Sequence, residues 1–238
     1  MICEFTGPTA AGKTTLMAAT ADCLKSMGVP IGVVHEQMEN PCPLIPLRLS
    51  NPLRHDAITD LLLLPWMAGA LIRQFQLFSW IAWMTITLKQ PLSDKHAILR
   101  SVCRKAALRR YLEQPRFSGW IILVDEGLTH AGHNFLVGTG VAPDPASVSR
   151  FAEWISLPEA TIVVQAPEDE LQERTRMRED RSPRIALPGT DRRFVANAIR
   201  LYDELRRSWQ QSPGVIFSDG TDPETLAKRI LDRWAMTR

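Results

Sequence analysis

Cys3-Glu4-Phe5-Thr6-Gly7-Pro8-Thr9-Ala10-Ala11-Gly12-Lys13-Thr14-Thr15 fits the pattern GxxxxGK followed by Ser or Thr, with Gly7, Gly12, Lys13 and Thr14 in register. Apolar Met1 to Phe5 predicts a short buried strand, Leu16 to Met27 predicts the helix that follows, and the two glycines permit a tight wrap between them. Those are the parts needed to hold a triphosphate, because backbone N–H groups then converge from the loop and from the positive end of the helix dipole. Gly7, Pro8, Thr9, Ala10, Ala11, Gly12, Lys13, Thr14 and Thr15 are therefore the expected nucleotide contacts, with Lys13 on the outer phosphates and the Thr14 hydroxyl on magnesium. The plainer reading is a glycine-containing surface turn. The flanking strand and helix and an acidic strand end downstream weigh against it.

That strand end is the second landmark. Trp120-Ile121-Ile122-Leu123-Val124 is an unbroken apolar run, as a central parallel strand requires, and it ends in Asp125-Glu126-Gly127. A carboxylate there faces the loop and holds magnesium through its water shell, the Walker B role assigned to Asp125. Glu126 is either a second metal-shell or substrate-contacting carboxylate or a surface residue. His130, His133 and Asn134 follow at helical spacing, read as a polar helix face in preference to a metal site.

Other strands place further candidates. Val29 to Val34 predicts a strand delivering Glu36 to its C-terminal end, the edge where open α/β sheets bind ligands; Glu36 is thus a catalytic candidate, with a solvated loop carboxylate as the alternative. Thr161 to Gln165 predicts a strand followed by Pro167, an acidic helix start, and Arg174, Arg178 and Arg181 three or four apart on one face. These arginines precede Ser182 to Gly189, a segment expected to close over a phosphate, so that 174–190 reads as a lid. Val215 to Phe217 predicts the fifth strand, and the loop after it, including Asp219 and Gly220, is expected beneath the nucleotide base.

Between these landmarks lies a helical middle. Asn40 to Pro52 holds four prolines and reads as a loop. Asp56 to Leu64 predicts a helix broken or kinked at Pro65, then a long one to about Lys89; Ser93 is the expected cap of the next, Asp94 to Glu113. That helix has six basic and two acidic residues and reads mainly as a solvated charged face with Ile98, Val102 and Leu112 inward. Leu61 to Leu88 carries a single charge, Arg73, and three of the seven tryptophans. Arg73 divides it below the roughly 18 to 20 apolar residues that span a bilayer. Buried helices are favoured over a membrane-associated surface or an apolar substrate groove.

At 238 residues and 45% hydrophobic content the chain is expected to form one α/β domain, 1–238. A formal charge of +2 argues against nucleic-acid binding through phosphate neutralisation and for a small acidic ligand. Cys3, Cys23, Cys42 and Cys103 form no CxxC pair and read as reduced thiols of a cytoplasmic protein, with no signal peptide expected ahead of the first strand.

Gly7 to Thr15, the strand ending at Glu36, Asp125-Glu126, Ala166 to Arg181 and Val215 to Pro223 together resemble the thymidylate kinase and deoxynucleoside kinase branch of the P-loop kinases. The resemblance implies a P-loop NTPase fold: a five-stranded parallel sheet of order 2-3-1-4-5, helices on both faces, and ATP with Mg2+ as phosphoryl donor. It implies that Glu36 takes the acceptor's proton. Where the branch carries Glu-Arg-Ser or Asp-Arg this chain has Asp125-Glu126; neither arginine is present, and Gly127 follows. The stretch 38–118, where the branch builds its acceptor pocket, is longer and more apolar and matches no nucleoside-binding pattern. A kinase of a small-molecule acceptor is the expectation, with homodimerisation through the middle helices as one use of that stretch. The alternative is a non-enzymatic nucleotide-dependent switch or partner-binding protein.

Overall fold

The computed structural model describes residues 1–34, 52–88, 90–138, 141–177 and 190–237, the side chains of 52–59 and 62 excepted. Five strands pair in parallel in the order β2-β3-β1-β4-β5: β1 (Ile2–Thr6), β2 (Ile31–Val34), β3 (Ile121–Asp125), β4 (Ala160–Gln165) and β5 (Val215–Asp219). The central strands are almost wholly buried, which is why they read as continuous apolar runs. Phe5 lies opposite Asp125 and Thr6 opposite Val163, so the C-terminal ends of β1, β3 and β4 stand side by side.

Strand alternation sorts side chains between the two faces. Cys3, Phe5, Leu123 and Ile162 pack with Met17, Ala21 and Leu24 of α1 (Lys13–Ser26) and with Leu226, Ala227 and Ile230 of α9 (Pro223–Met236). Asp125 shares the parity of Leu123 and so turns toward α1. Ile2, Ile122 and Val124 face the other way, with Tyr111 and Leu112 of α4 (Leu92–Leu112). Beside them, α3 (Phe75–Thr87), α5 (Ala131–Leu136), α6 (Pro145–Trp154) and α8 (Thr190–Trp209) enclose Trp80, Phe135, Phe151, Tyr202 and Trp209.

Three expectations for the middle are corrected. First, Pro65 does not break its helix: α2 runs Pro52–Arg73 and the break falls at Gln74, the first cap of α3. Proline leaves the carbonyl four residues back without its amide partner, but here that residue is Leu61, 64% exposed, where water can serve. Second, Ser93 is not the cap of α4. Pro91 is, its carbonyl accepting from Asp94 N and Lys95 N. Third, the basic face of α4 is not solvated throughout, because Lys105 and Arg109 are buried. At the far edge, Ser218 and Asp219 belong to β5 itself, not to the loop after it. Among the described residues no helix is long and apolar enough to cross a membrane.

Candidate functional site

Three strand ends and the start of α1 make one hollow. Gly7, with φ 151°, passes so close to β4 that a Cβ there would lie 2.1 Å from Val164 O; no other residue fits. Ala10 and Gly12 both take left-handed backbone, φ 65° and 85°, and Leu16 N then bonds Gly12 O at 2.9 Å as α1 begins. Alternating handedness of this kind turns successive amides toward one point, an anion-binding concavity. The loop thus has the backbone that its glycines promised.

Lys13 is buried, 5% exposed, and folds back over this hollow. Its ammonium donates to Pro8 O at 2.9 Å and Gly7 O at 3.2 Å and stands 3.1 Å from Glu126 Oε1. The Thr14 hydroxyl donates to Asp125 Oδ2 at 2.6 Å, so the two side chains expected at magnesium are in direct contact. Thr15 is exposed in the first turn of α1. Arg174, on α7 (Glu168–Met177), bonds Glu170 and lies over the loop: a methyl on Gly12 would be 3.8 Å from its Nη1.

Glu126 turns to Lys13, and its backbone is left-handed at φ 54°, uncommon for a residue with a side chain and a mark of sites held in place by their surroundings. Burial pushes its carboxyl up, but His130, Lys13 and Lys105 outweigh that and hold it well below the usual carboxylate range. Burial in turn drives His130 well below the ordinary imidazole range despite Glu126 at 3.6 Å.

Gly127 has a local reason. A Cβ there would lie 2.4 Å from Cδ of Glu4, a fully buried carboxylate of β1 whose Oε2 accepts from Thr129 N at 2.8 Å. Arg109 Nη1 stands 3.8 Å from the other oxygen. A side chain at 127 would displace this carboxylate, and an unpaired buried charge is costly.

Not every expected residue joins the hollow. Glu36, Arg178 and Arg181 lie outside the described residues. Asp219 is the last residue of β5, its carboxylate gripped by both Nη atoms of Arg206 at 2.9 and 2.6 Å; Gly220 follows with φ 67°. Two residues that sequence reasoning passed over are present instead: Glu4, hidden in an apolar strand, and Tyr202, at the start of the loop; of the helix face singled out in the sequence, His133 touches the loop and His130 lies between Tyr202 and Glu126. His133 Nε2 lies 3.0 Å from Thr9 Oγ1, and Tyr202 Oη lies 3.0 Å from Thr6 Oγ1. A buried charge within a strand pattern is the one signal that pointed to Glu4.

The sheet order and the loop together are those of a P-loop NTPase fold. No family model matches the chain, and no curated protein matches it. Among solved structures it is similar to the thymidylate kinase of Ehrlichia chaffeensis, at 14% identity over 98% of this chain and 96% of that one, with a TM-score of 0.49.

Proposed function

We propose that this protein is an ATP-dependent small-molecule kinase, transferring the terminal phosphoryl group of Mg-ATP to a hydroxyl or phosphate oxygen of an acceptor. The observation that carries the reading is the contact of Thr14 with Asp125, 2.6 Å apart beside Lys13 and a loop whose amides converge. A hydroxyl and a carboxylate are the hard oxygen donors that suit magnesium. The hollow fits phosphates because its one ammonium is already drawn to loop carbonyls and has only to turn toward an anion.

On this reading Gly7 to Thr15 bind the phosphates through their amides, and Lys13 neutralises the outer ones. Thr14 and Asp125 would hold magnesium, whose charge would offset that of the phosphates. Glu126, 3.1 Å from the Lys13 ammonium, would be a further carboxylate beside that metal. Arg174 stabilises the charge of the group in transfer, joined by Arg178 and Arg181 from the 174–190 lid. Glu36, two residues beyond β2 in sequence, orients the acceptor hydroxyl or takes its proton. Residues 38–118 supply the acceptor side. Such transfer rests on positioning and electrostatics more than on covalent steps.

The test is ADP release by purified protein with magnesium and ATP, scanned against pooled nucleosides, nucleoside monophosphates, sugars, hydroxylated antibiotics and polyprenols. Stimulation by one pool is expected and names the acceptor class. Tight ATP binding with no stimulation by any pool overturns the kinase reading in favour of a nucleotide switch.

A further inference from the structure

The loop conformation is held both from within and from outside. Ala10 sits at φ 65°, where a Cβ is disfavoured, and such backbone persists only when its surroundings fix it. Within the loop, Ala11 N bonds Pro8 O at 3.3 Å and the Lys13 ammonium donates to Pro8 O and Gly7 O. Further constraints come from outside. His133 Nε2 meets the hydroxyl of Thr9, the residue before Ala10, at 3.0 Å. Tyr202 Oη meets the hydroxyl of Thr6, the residue before Gly7, at 3.0 Å.

These two anchors are one cluster. Tyr202 Oη also lies 2.8 Å from His130 Nδ1, and the His130 and His133 rings stack with centroids 4.8 Å apart at 28°. Phe194 of α8 closes the far side, edge-on to His133 at 5.4 Å. Thr6, His130, His133 and Tyr202 are all buried. His130 Nδ1 faces the Tyr202 hydroxyl and its Nε2 faces Glu126 Oε1 at 3.6 Å, while His133 Nε2 faces Thr9. The ring nitrogens thus address different partners and do not converge as metal ligands would. Because these polar groups are enclosed, displacing Thr6 or Thr9 would leave them unpaired, and the penalty for that opposes movement of the loop.

We propose that His133 and Tyr202 are positioning residues for the phosphate loop: by holding Thr9 and Thr6 they keep its amides aimed at the phosphates before the nucleotide arrives, and so set nucleotide affinity, not the transfer step. The inference rests on the nucleotide-binding reading above. It also ties that affinity to α8, the element that follows the lid segment in sequence.

The experiment is titration of the full chain with a fluorescent N-methylanthraniloyl ATP and magnesium, with thermal unfolding measured on the same samples. Thr9→Val, which removes one hydroxyl from a half-exposed loop position, is expected to weaken binding about tenfold, the effect of losing one hydrogen bond. His133→Leu is expected to match it, and the double variant to be no worse than either single one, because both remove the same contact. His133→Gln carries an amide nitrogen near the place of Nε2 and is expected to restore affinity. Tyr202→Phe is expected to weaken binding by a similar factor, and in His133→Leu and Tyr202→Phe the turnover of basal ATP hydrolysis at saturating ATP stays that of the wild type. A purely structural role would lower the unfolding temperature and leave affinity untouched. Wild-type affinity in both Thr9→Val and His133→Leu overturns the inference alone, as does a fall in turnover at unchanged KM. Failure of the wild type to bind the probe overturns the nucleotide reading and the inference with it.

Discussion

The loop end of the sheet and the helices α2 and α3 treat polarity in opposite ways. At the loop, charged and polar side chains are enclosed: Glu4, Lys13, Asp125, His130 and His133 are all buried within an otherwise apolar scaffold. Along α2 and α3, large apolar side chains face outward, among them Ile72, Phe75, Trp83 and Ile86. Buried charge is expensive unless each group finds a partner, so its concentration at one place marks where the fold serves chemistry. Exposed apolar side chains carry no such cost and are common on protein surfaces, so these two helices by themselves name no function. The difference also separates what a substitution should damage: catalysis at the loop, stability in the helices.

The largest expected effect is at the loop. On the kinase reading, Lys13→Ala and Asp125→Asn are each expected to lower acceptor-dependent turnover by about 10³-fold or more, since each would remove charge that serves the phosphoryl group or its metal. Circular dichroism of both variants should remain that of the wild type. Turnover within tenfold of wild type in either variant would mean that the buried charges at the loop serve packing, and the contrast between the two regions would lose its functional half.

The helical region offers the complementary case in two tryptophans three residues apart. Trp80 is buried and meets Phe135 edge-on at 5.6 Å and Trp154 at 6.0 Å, whereas Trp83 is 66% exposed. Trp80→Ala is expected to cost about 3 to 5 kcal/mol in urea unfolding, from lost burial and the cavity left behind. Trp83→Ala should stay within about 0.5 kcal/mol. A large cost at Trp83 would show that its face is covered in solution, and the exposed side of the comparison would then have to be redrawn.

How much of this was legible in the chain depended on whether the cause was local. The loop, α1, Asp125 at the end of β3 and the acidic start of α7 were readable, because strand–turn–helix geometry and capping are fixed by residues close in sequence. Asp144 is a simple case: its carboxylate caps α6 by accepting from Ser147 N, three residues on, with Pro145 in the first turn. The helix break at Gln74 was not readable, because Pro65 carries the stronger local signal and only the exposure of Leu61 makes it tolerable. Nor were the partners of the loop readable. Thr9 and His133 are 124 residues apart, and Thr6 and Tyr202 are 196 apart, so no periodicity connects them. Glu4, Gly127 and Arg109 became intelligible together: a side chain at 127 would meet a carboxylate already occupying that space.

The smallest predicted effect asks whether the loop end is as closed as its burial implies. Cys3 lies on β1, three residues before the loop begins to turn, and is fully buried; Cys23 on α1 and Cys103 on α4 are partly exposed. Burial pushes the Cys3 thiol up to about 12 from an ordinary 9.0, and burial also raises Cys103. Iodoacetamide reacts with the thiolate, so at pH 8 mass spectrometry should find Cys23 alkylated first, Cys103 more slowly and Cys3 only once the protein unfolds. The same shift has a sign for stability. Above pH 9 the unfolded chain releases the Cys3 proton while the folded chain keeps it, so the unfolded state binds fewer protons and stability falls as pH rises toward 12. The contribution is complete below pH 9 and is lost through that window, at a slope no steeper than about 1.4 kcal/mol per pH unit. Urea midpoints of the wild type and Cys3→Ala, compared at pH 8 and pH 10, isolate it: the wild type should lose more between the two. Rapid labelling of Cys3 at pH 8, with no extra loss at pH 10, would mean that β1 opens readily, and the enclosure that gives the loop's buried charges their meaning would not hold.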